Sequence, residues 1–265
     1  MEFTQEFTRY LAHVAAGLGR AERKLGLQDY CGALMLPLKR KSIEPLAAAV
    51  DPYHVPALHQ SLHHFVAESP WPDEAVLGAV QSWVLPKMLR QPAALTFLIA
   101  DDSGMPKQGV HSVGVARQYC GQLGKTESCQ VAVSLSIATA QASLPIKYQL
   151  YLPEAWTADP QRCKSAGVPA DVLFATKPQI SLTQIRQAKQ AGMPGDVVAA
   201  DAGYGDDTGY RDGITALGLL YVVGIKPATT VWAPGTPARC RPSPGRAGAA
   251  NPPGCAATRR SRPSR

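Results

Sequence analysis

Apolar residues recur at helical spacing through the first 95 positions. Phe7, Leu11, Val14 and Leu18 form one stripe, Leu58, Leu62, Phe65 and Val66 a second, and Val76, Val80, Trp83 and Val84 a third. Pro52, Pro56, Pro70, Pro72 and Pro86 interrupt the run, so the pattern predicts several short packed helices rather than one long bundle. After Leu95 the period falls to two. Thr96–Ala100 is an apolar run. Cys129, Val131, Val133, Leu135 and Ile137 alternate with Gln130, Ala132, Ser134 and Ser136, and Ile146, Tyr148, Leu150 and Leu152 alternate with Lys147, Gln149 and Tyr151. With the run at 110–120, these predict strands joined by short turns, antiparallel to one another and beside a strand that ends at Asp101.

Further along, a helix is predicted over 181–191. Ser181 is its cap, Leu182, Ile185 and Ala188 face inward, and Gly192 stands at its exit. A strand running to Asp201, a helix near 207–217 and a buried strand Leu219–Val223 follow. Residues 153–178, with Trp156, Pro153, Pro160, Pro169 and Pro178, read as a connecting loop or small insertion. Hairpins followed by alternating strand and helix predict a mixed α/β layer structure.

Composition alters this picture in one respect. The net charge of +7 invites a nucleic-acid reading, yet residues 239–265 hold seven arginines and no acid, while the whole chain has 27 basic and 20 acidic residues. The body is therefore neutral, and a DNA-binding surface must come from local patches such as Lys39-Arg40-Lys41. No apolar run approaches a membrane span and the N-terminus lacks a signal-peptide core, so a soluble cytoplasmic protein is expected. Six cysteines without CxxC pairing predict reduced thiols, with neither a zinc site nor a disulfide framework. His59 and His63, four apart on a predicted helix, lack a third ligand and read as an ordinary helix pair.

The chemistry concentrates at two acidic stretches. Thr96–Ala100 leads into Asp101-Asp102-Ser103-Gly104, and Asp196–Ala200 leads into Asp201-Ala202-Gly203-Tyr204-Gly205. Two strands of one sheet, each delivering an acid at its end, can hold hard divalent cations between them, as metal-assisted phosphoryl transfer requires. Asp101 and Asp201 are the candidate catalytic and metal-binding residues. Asp102 is the alternative ligand, since a one-residue shift reverses the face a strand side chain occupies. Lys107, His111, Arg117 and Lys125 lie between and beyond the turns of the first motif and are candidate contacts to DNA phosphates. A haloacid-dehalogenase-type phosphatase is the rival enzyme class, but it requires acids two positions apart rather than adjacent.

The first motif runs on through Pro106-Lys107-Gln108-Gly109 to Ser112-Val113-Gly114-Val115-Ala116-Arg117-Gln118-Tyr119 and Leu123-Gly124-Lys125. With Asp201-Ala202-Gly203-Tyr204-Gly205, it resembles the DDE-superfamily transposases of bacterial insertion sequences over roughly residues 1–237. The resemblance implies a ribonuclease-H-like mixed sheet with flanking helices, preceded by a helical N-terminal region. It implies Mg²⁺ or Mn²⁺ as cofactor and DNA, at the element's terminal inverted repeats, as partner, with a homodimer as one allowed assembly. The expected organisation is a helical, DNA-binding region over 1–95, a partial catalytic domain over 96–237 and a tail over 238–265.

The resemblance also implies a third acidic ligand, a Glu on a later helix. After Asp212 the chain has no Asp or Glu, and from Arg239 its composition becomes Arg, Pro, Gly, Ala and Ser without apolar periodicity. The expectation is a disordered, frameshifted tail on a truncated transposase of impaired activity. The alternative is a fragment that binds DNA, or interferes with an intact transposase, without catalysis.

Overall fold

The computed structural model describes residues 2–70, 72–90 and 95–229. The expectations for the 238–265 tail, and for Cys240 and Cys255, fall outside these residues. The helical stripes of the first 95 positions become α1 (Glu2–Ala16), α2 (Ala21–Leu34), α3 (Ile43–Val50), α4 (Val55–His63), a π-helical turn His64–Glu68, and α5 (Asp73–Met88). Their apolar faces close over two small cores. Val14, Ala15, Leu18, Leu27 and Phe65 form one, and Ala33, Leu46, Ala47 and Leu62 the other. Of the basic triplet, Lys41 is engaged within the fold, its ammonium donating to the carbonyls of Leu34 and Leu36 at the exit of α2. The α5 helix reaches beyond this region. Its Leu85 enters the sheet's core, and the Gln81 amide donates to the Ile146 carbonyl at 2.8 Å.

The strands are β1 (Phe97–Pro106), β2 (Ala116–Cys120), β3 (Lys125–Ala138), β4 (Ser143–Tyr151), β5 (Val197–Ala200) and β6 (Leu220–Val223). They form one mixed sheet in the order β2-β3-β1-β5-β6, with β4 also paired to β3. β1, β2 and β4 run antiparallel to β3, whereas β5 runs parallel to β1 and β6 parallel to β5. Two short helices, α6 (Glu154–Thr157) and α7 (Pro160–Ser165), follow the hairpins. Next come α8 (Lys177–Gln190), α9 (Ala202–Gly205) and α10 (Thr208–Ala216).

The alternation in the sequence translates directly into burial. Leu98, Ala100, Val133, Leu135, Ile137 and Val198 face Ile180, Ile185 and Ala188 of α8 and Ile214 of α10, and this layer is the main core. The result is the mixed α/β arrangement anticipated, a sheet with flanking helices and a helical region before it. Among the described residues no helix is long and apolar enough to cross a membrane. Cys31, Cys120, Cys129 and Cys163 are free thiols.

Several boundaries differ from expectation. β1 does not stop at Asp101. It continues to Pro106 because its antiparallel register with β3 persists to Pro106↔Cys129 and Gly104 packs directly on Cys120, where a Cβ would lie 2.9 Å from the sulfur. The strand expected over 110–120 is confined to 116–120, since Gly114 turns the chain at φ +74° against the Tyr151 carbonyl. The helix expected from 181 starts earlier, at Lys177. A reciprocal capping box between Thr176 and Gln179 fixes that start, and Ser181 is buried inside the helix, bonded to the Tyr210 hydroxyl at 3.0 Å. The last strand is not buried. Leu220 and Val222 are 71% and 67% exposed, because nothing among the described residues packs on their face of the sheet. Within the 153–178 connection Trp156 is buried, its indole N–H donating to the Val115 carbonyl at 2.8 Å.

Candidate active site

The acid motifs are brought together by the parallel pairing of β1 with β5. Asp196 and Thr96 clamp the strand entrances. The Thr96 N–H and hydroxyl both donate to Asp196 Oδ2 at 2.8 Å, and the Asp196 N–H returns a bond to the Thr96 carbonyl at 2.9 Å. From there Phe97 pairs with Val197, Leu98 with Val198, Ile99 with Ala199 and Ala100 with Ala200. Asp101 is the next residue of β1, and Asp201 directly follows the last residue of β5. Adjacent strands lie about 4.8 Å apart, so the two acids stand level on neighbouring chains.

Alternation decides which way they face. Leu98 and Ala100 are buried against the helices, so Ile99, Asp101 and Ser103 occupy the opposite, exposed face, whose cross-strand neighbour of Asp101 is Ser134. Asp201 remains extended at φ −77°, ψ −177° and keeps the same alternation before the chain turns into α9. Each carboxylate is oriented by a nearby backbone donor. The Asp102 N–H donates to Asp101 Oδ1 at 2.8 Å, and the Gly203 N–H donates to Asp201 Oδ1 at 2.8 Å, which makes Asp201 the N-cap of α9.

Asp102 lies on the other face. Its Oδ2 accepts from Lys177 Nζ at 2.8 Å, and both side chains are about a quarter exposed, 23% and 27%. The same ammonium sits 5.7 Å from the centre of the Tyr151 ring. Lys177 was not legible as a site residue because 75 positions separate it from Asp102.

Two tyrosines fill the space beside α8. Tyr204 and Tyr210 are almost fully buried, with ring centres 5.8 Å apart. Burial, followed by the carboxylate of Asp102, the phenol of Tyr210 and the carboxylates of Asp101 and Asp201, pushes the Tyr204 phenol far above its ordinary range. Burial also raises Tyr210, to about 12, against the opposing effect of its bond to Ser181. Both phenols are therefore neutral at physiological pH. Among the described residues the Tyr204 hydroxyl has no hydrogen-bond partner, and neither does the buried Oε1 of Gln184, whose amide nitrogen donates to the Val133 carbonyl at 3.2 Å.

The four basic candidates are exposed, and the sheet register sets Lys107 and Arg117 on either side of Ser128. Lys125 pairs with Glu127 at 3.2 Å, and Arg117 approaches the same carboxylate at 4.0 Å, both on the β2–β3 hairpin. Lys107 directly follows β1, its N–H bonded to the Ser128 carbonyl, and His111 lies in the loop before β2. The remaining acids near the second motif have other partners. Asp206 pairs with Lys226 at 3.2 Å, and Asp207 caps α10 by accepting from the Tyr210 N–H at 2.8 Å. Among the described residues no three His, Cys, Asp or Glu side chains converge as a metal-binding group, which applies to His59 and His63 as well. Those two rings stack with centres 6.3 Å apart.

The family described as DDE superfamily endonuclease matches residues 13–263. A probable transposase for insertion sequence element IS701 of Microchaete diplosiphon is 29% identical over 190 residues, covering 71% of this chain and 45% of that protein. The chain thus spans a little under half the length of that curated relative. With nearly its whole length matched, and with both acid motifs carried on one mixed sheet, the chain belongs to the DDE superfamily endonuclease family.

Proposed function

We propose that the protein is a transposase of an insertion sequence, of the kind that acts on DNA at the element's terminal inverted repeats by divalent-metal-dependent phosphoryl transfer, with impaired cleavage in this chain. The observation that carries this reading is the level placement of Asp101 and Asp201 on adjacent parallel strands, on an exposed face of the sheet, in a chain of this family. The donor set suits a hard cation: two exposed carboxylates, each already oriented by a backbone N–H. Asp101 and Asp201 would hold Mg²⁺ or Mn²⁺, since Asp102, the other candidate in the motif, is engaged by Lys177 on the opposite face. A bound cation would polarise the scissile phosphate and favour ionisation of the attacking water or hydroxyl. Lys107, His111, Arg117 and Lys125 would contact the DNA backbone, which fixes register without reading sequence. The helical region 1–95 would add DNA contacts, 96–237 would constitute the catalytic domain, and 238–265 would be an appended, frameshifted tail. The protein would work in the cytoplasm, and a homodimer would bring two element ends together.

A second reading has its own support. No third acid joins Asp101 and Asp201 among the described residues, and no Asp or Glu follows Asp212. In this reading the 265-residue chain binds element ends without cutting them. The test is an end-labelled duplex carrying the terminal repeats of the element that encodes the protein. Specific binding with cleavage near background in Mg²⁺ is the expected result for the chain as it stands. Efficient Mg²⁺-dependent cleavage would show instead that Asp206, Asp207 or Asp212 completes the site. Failure to prefer terminal repeats over unrelated duplex would refute the transposase reading.

A further inference from the structure

We infer that Lys177 and Asp102 are a positioning pair for Asp101, rather than Asp102 being a metal ligand in its own right. The inference rests on the reading of Asp101 and Asp201 as a cation site. Three contacts form a continuous chain. The Lys177 ammonium donates to Asp102 Oδ2 at 2.8 Å, the Asp102 N–H donates to Asp101 Oδ1 at 2.8 Å, and the Asp101 carbonyl accepts from the Ser134 hydroxyl at 3.3 Å.

The anchor at the far end of this chain is rigid. Lys177 is the first residue of α8, and the Thr176–Gln179 capping box holds that helix start from both sides. The ion pair is also unlike an ordinary surface bridge. Both partners are mostly shielded from water, and the ammonium lies over the Tyr151 ring. Such a pair retains more of its attraction than an exposed one, and removing one partner leaves a shielded charge uncompensated.

The geometry also separates the two neighbouring acids by role. Asp102 lies on the helix-facing side, so engagement by Lys177 turns its carboxylate away from the face that Asp101 and Asp201 share. Its remaining contribution to that face is its backbone N–H. Holding the side chain from one side fixes the peptide plane that orients Asp101 on the other. Groups that hydrogen-bond a metal-binding carboxylate typically change metal affinity by about ten- to a hundredfold when lost.

The probe is Mn²⁺, its free fraction measured by electron paramagnetic resonance with the full chain. Lys177→Met and Asp102→Asn should each weaken Mn²⁺ binding about tenfold, and the double variant should be no weaker than either single one. Lys177→Arg should retain affinity, because a guanidinium can reach the same carboxylate. Circular dichroism and a thermal melt on each variant separate loss of orientation from loss of fold. Should Lys177→Met not fold, the comparison of Asp102→Asn with Lys177→Arg decides the matter by the same criterion. Unchanged or tighter Mn²⁺ binding in Lys177→Met would overturn the inference, since a released Asp102 would then be acting as a ligand. Additive losses in the double variant would overturn it too. If the unaltered chain does not bind Mn²⁺, or if Asp101→Asn binds it normally, the cation-site reading itself fails.

Discussion

Asp196 accepts both the N–H and the hydroxyl of Thr96, a residue 100 positions away, at the point where β1 and β5 begin to pair. This contact sets the strand register, and the register delivers Asp101 and Asp201 level five residues later. The clamp is a local hydrogen-bond arrangement with a consequence at the site.

The same contact makes stability depend on pH. The bonds from Thr96 hold the Asp196 carboxyl below its usual range, first through the backbone N–H and then through the hydroxyl. A carboxyl depressed in the folded state contributes stability above its unfolded pKa, roughly 3.9, and loses it as pH falls through the folded value. Asp196 is largely exposed, so Asp196→Ala should cost only about 1 kcal/mol at pH 7. Urea denaturation should show the difference between the two proteins shrinking steadily below about pH 4. A pH-independent difference would mean that the carboxylate's charge plays no part in the clamp.

Tyr204 gives a prediction of opposite sign. Its buried hydroxyl has no partner among the described residues, which is a cost to the fold, and phenylalanine keeps the ring that packs on Tyr210. Tyr204→Phe should leave stability unchanged or raise it by up to about 1 kcal/mol. A loss of more than about 1 kcal/mol in chemical denaturation would show that the hydroxyl has a stabilising partner in solution.

Glycine in the second motif is required by packing. A Cβ on Gly205 would collide with the Gly224 carbonyl and lie 2.8 Å from the Val223 Cβ, so α9 and the exit of β6 could not remain in contact. Gly205→Ala should cost roughly 2 kcal/mol or more. Gly78→Ala is the control. That position lies inside α5 with nothing within 4 Å, so alanine there should stabilise by about 0.5–1 kcal/mol. Equal thermal shifts for the two variants would contradict the close approach at Gly205.

What was legible in the chain follows from what is local. Alternation over 129–137 and 146–152 predicted strands because one face of each is packed and the other is not, and the period of two records that difference. The stripes of the first 95 residues predicted short helices for the corresponding reason. The end of β1 was not legible. Asp101-Asp102-Ser103-Gly104 has the composition of a turn, and only pairing with β3 and the fit of Gly104 on Cys120 carry the strand onward.

The start of α8 was written locally, in Thr176, Pro178 and Gln179, but a later serine offered a competing cap. The exposure of Leu220 and Val222 could not be read from an apolar run, because burial depends on what packs above it. In the candidate site, the two acids stand out as motifs. Lys177 does not, since its partner is distant in sequence and only the placement of α8 beside the end of β1 joins them.

The central claim is that Asp101 and Asp201 together hold a divalent cation. The direct measurement is a Mn²⁺ titration of the full chain and of its Asp101→Asn and Asp201→Asn variants, followed by electron paramagnetic resonance. The account predicts one weak site in the unaltered chain and a loss of affinity of at least about tenfold in either variant, as expected when one of few carboxylate ligands is removed. Undiminished binding in both variants would contradict it.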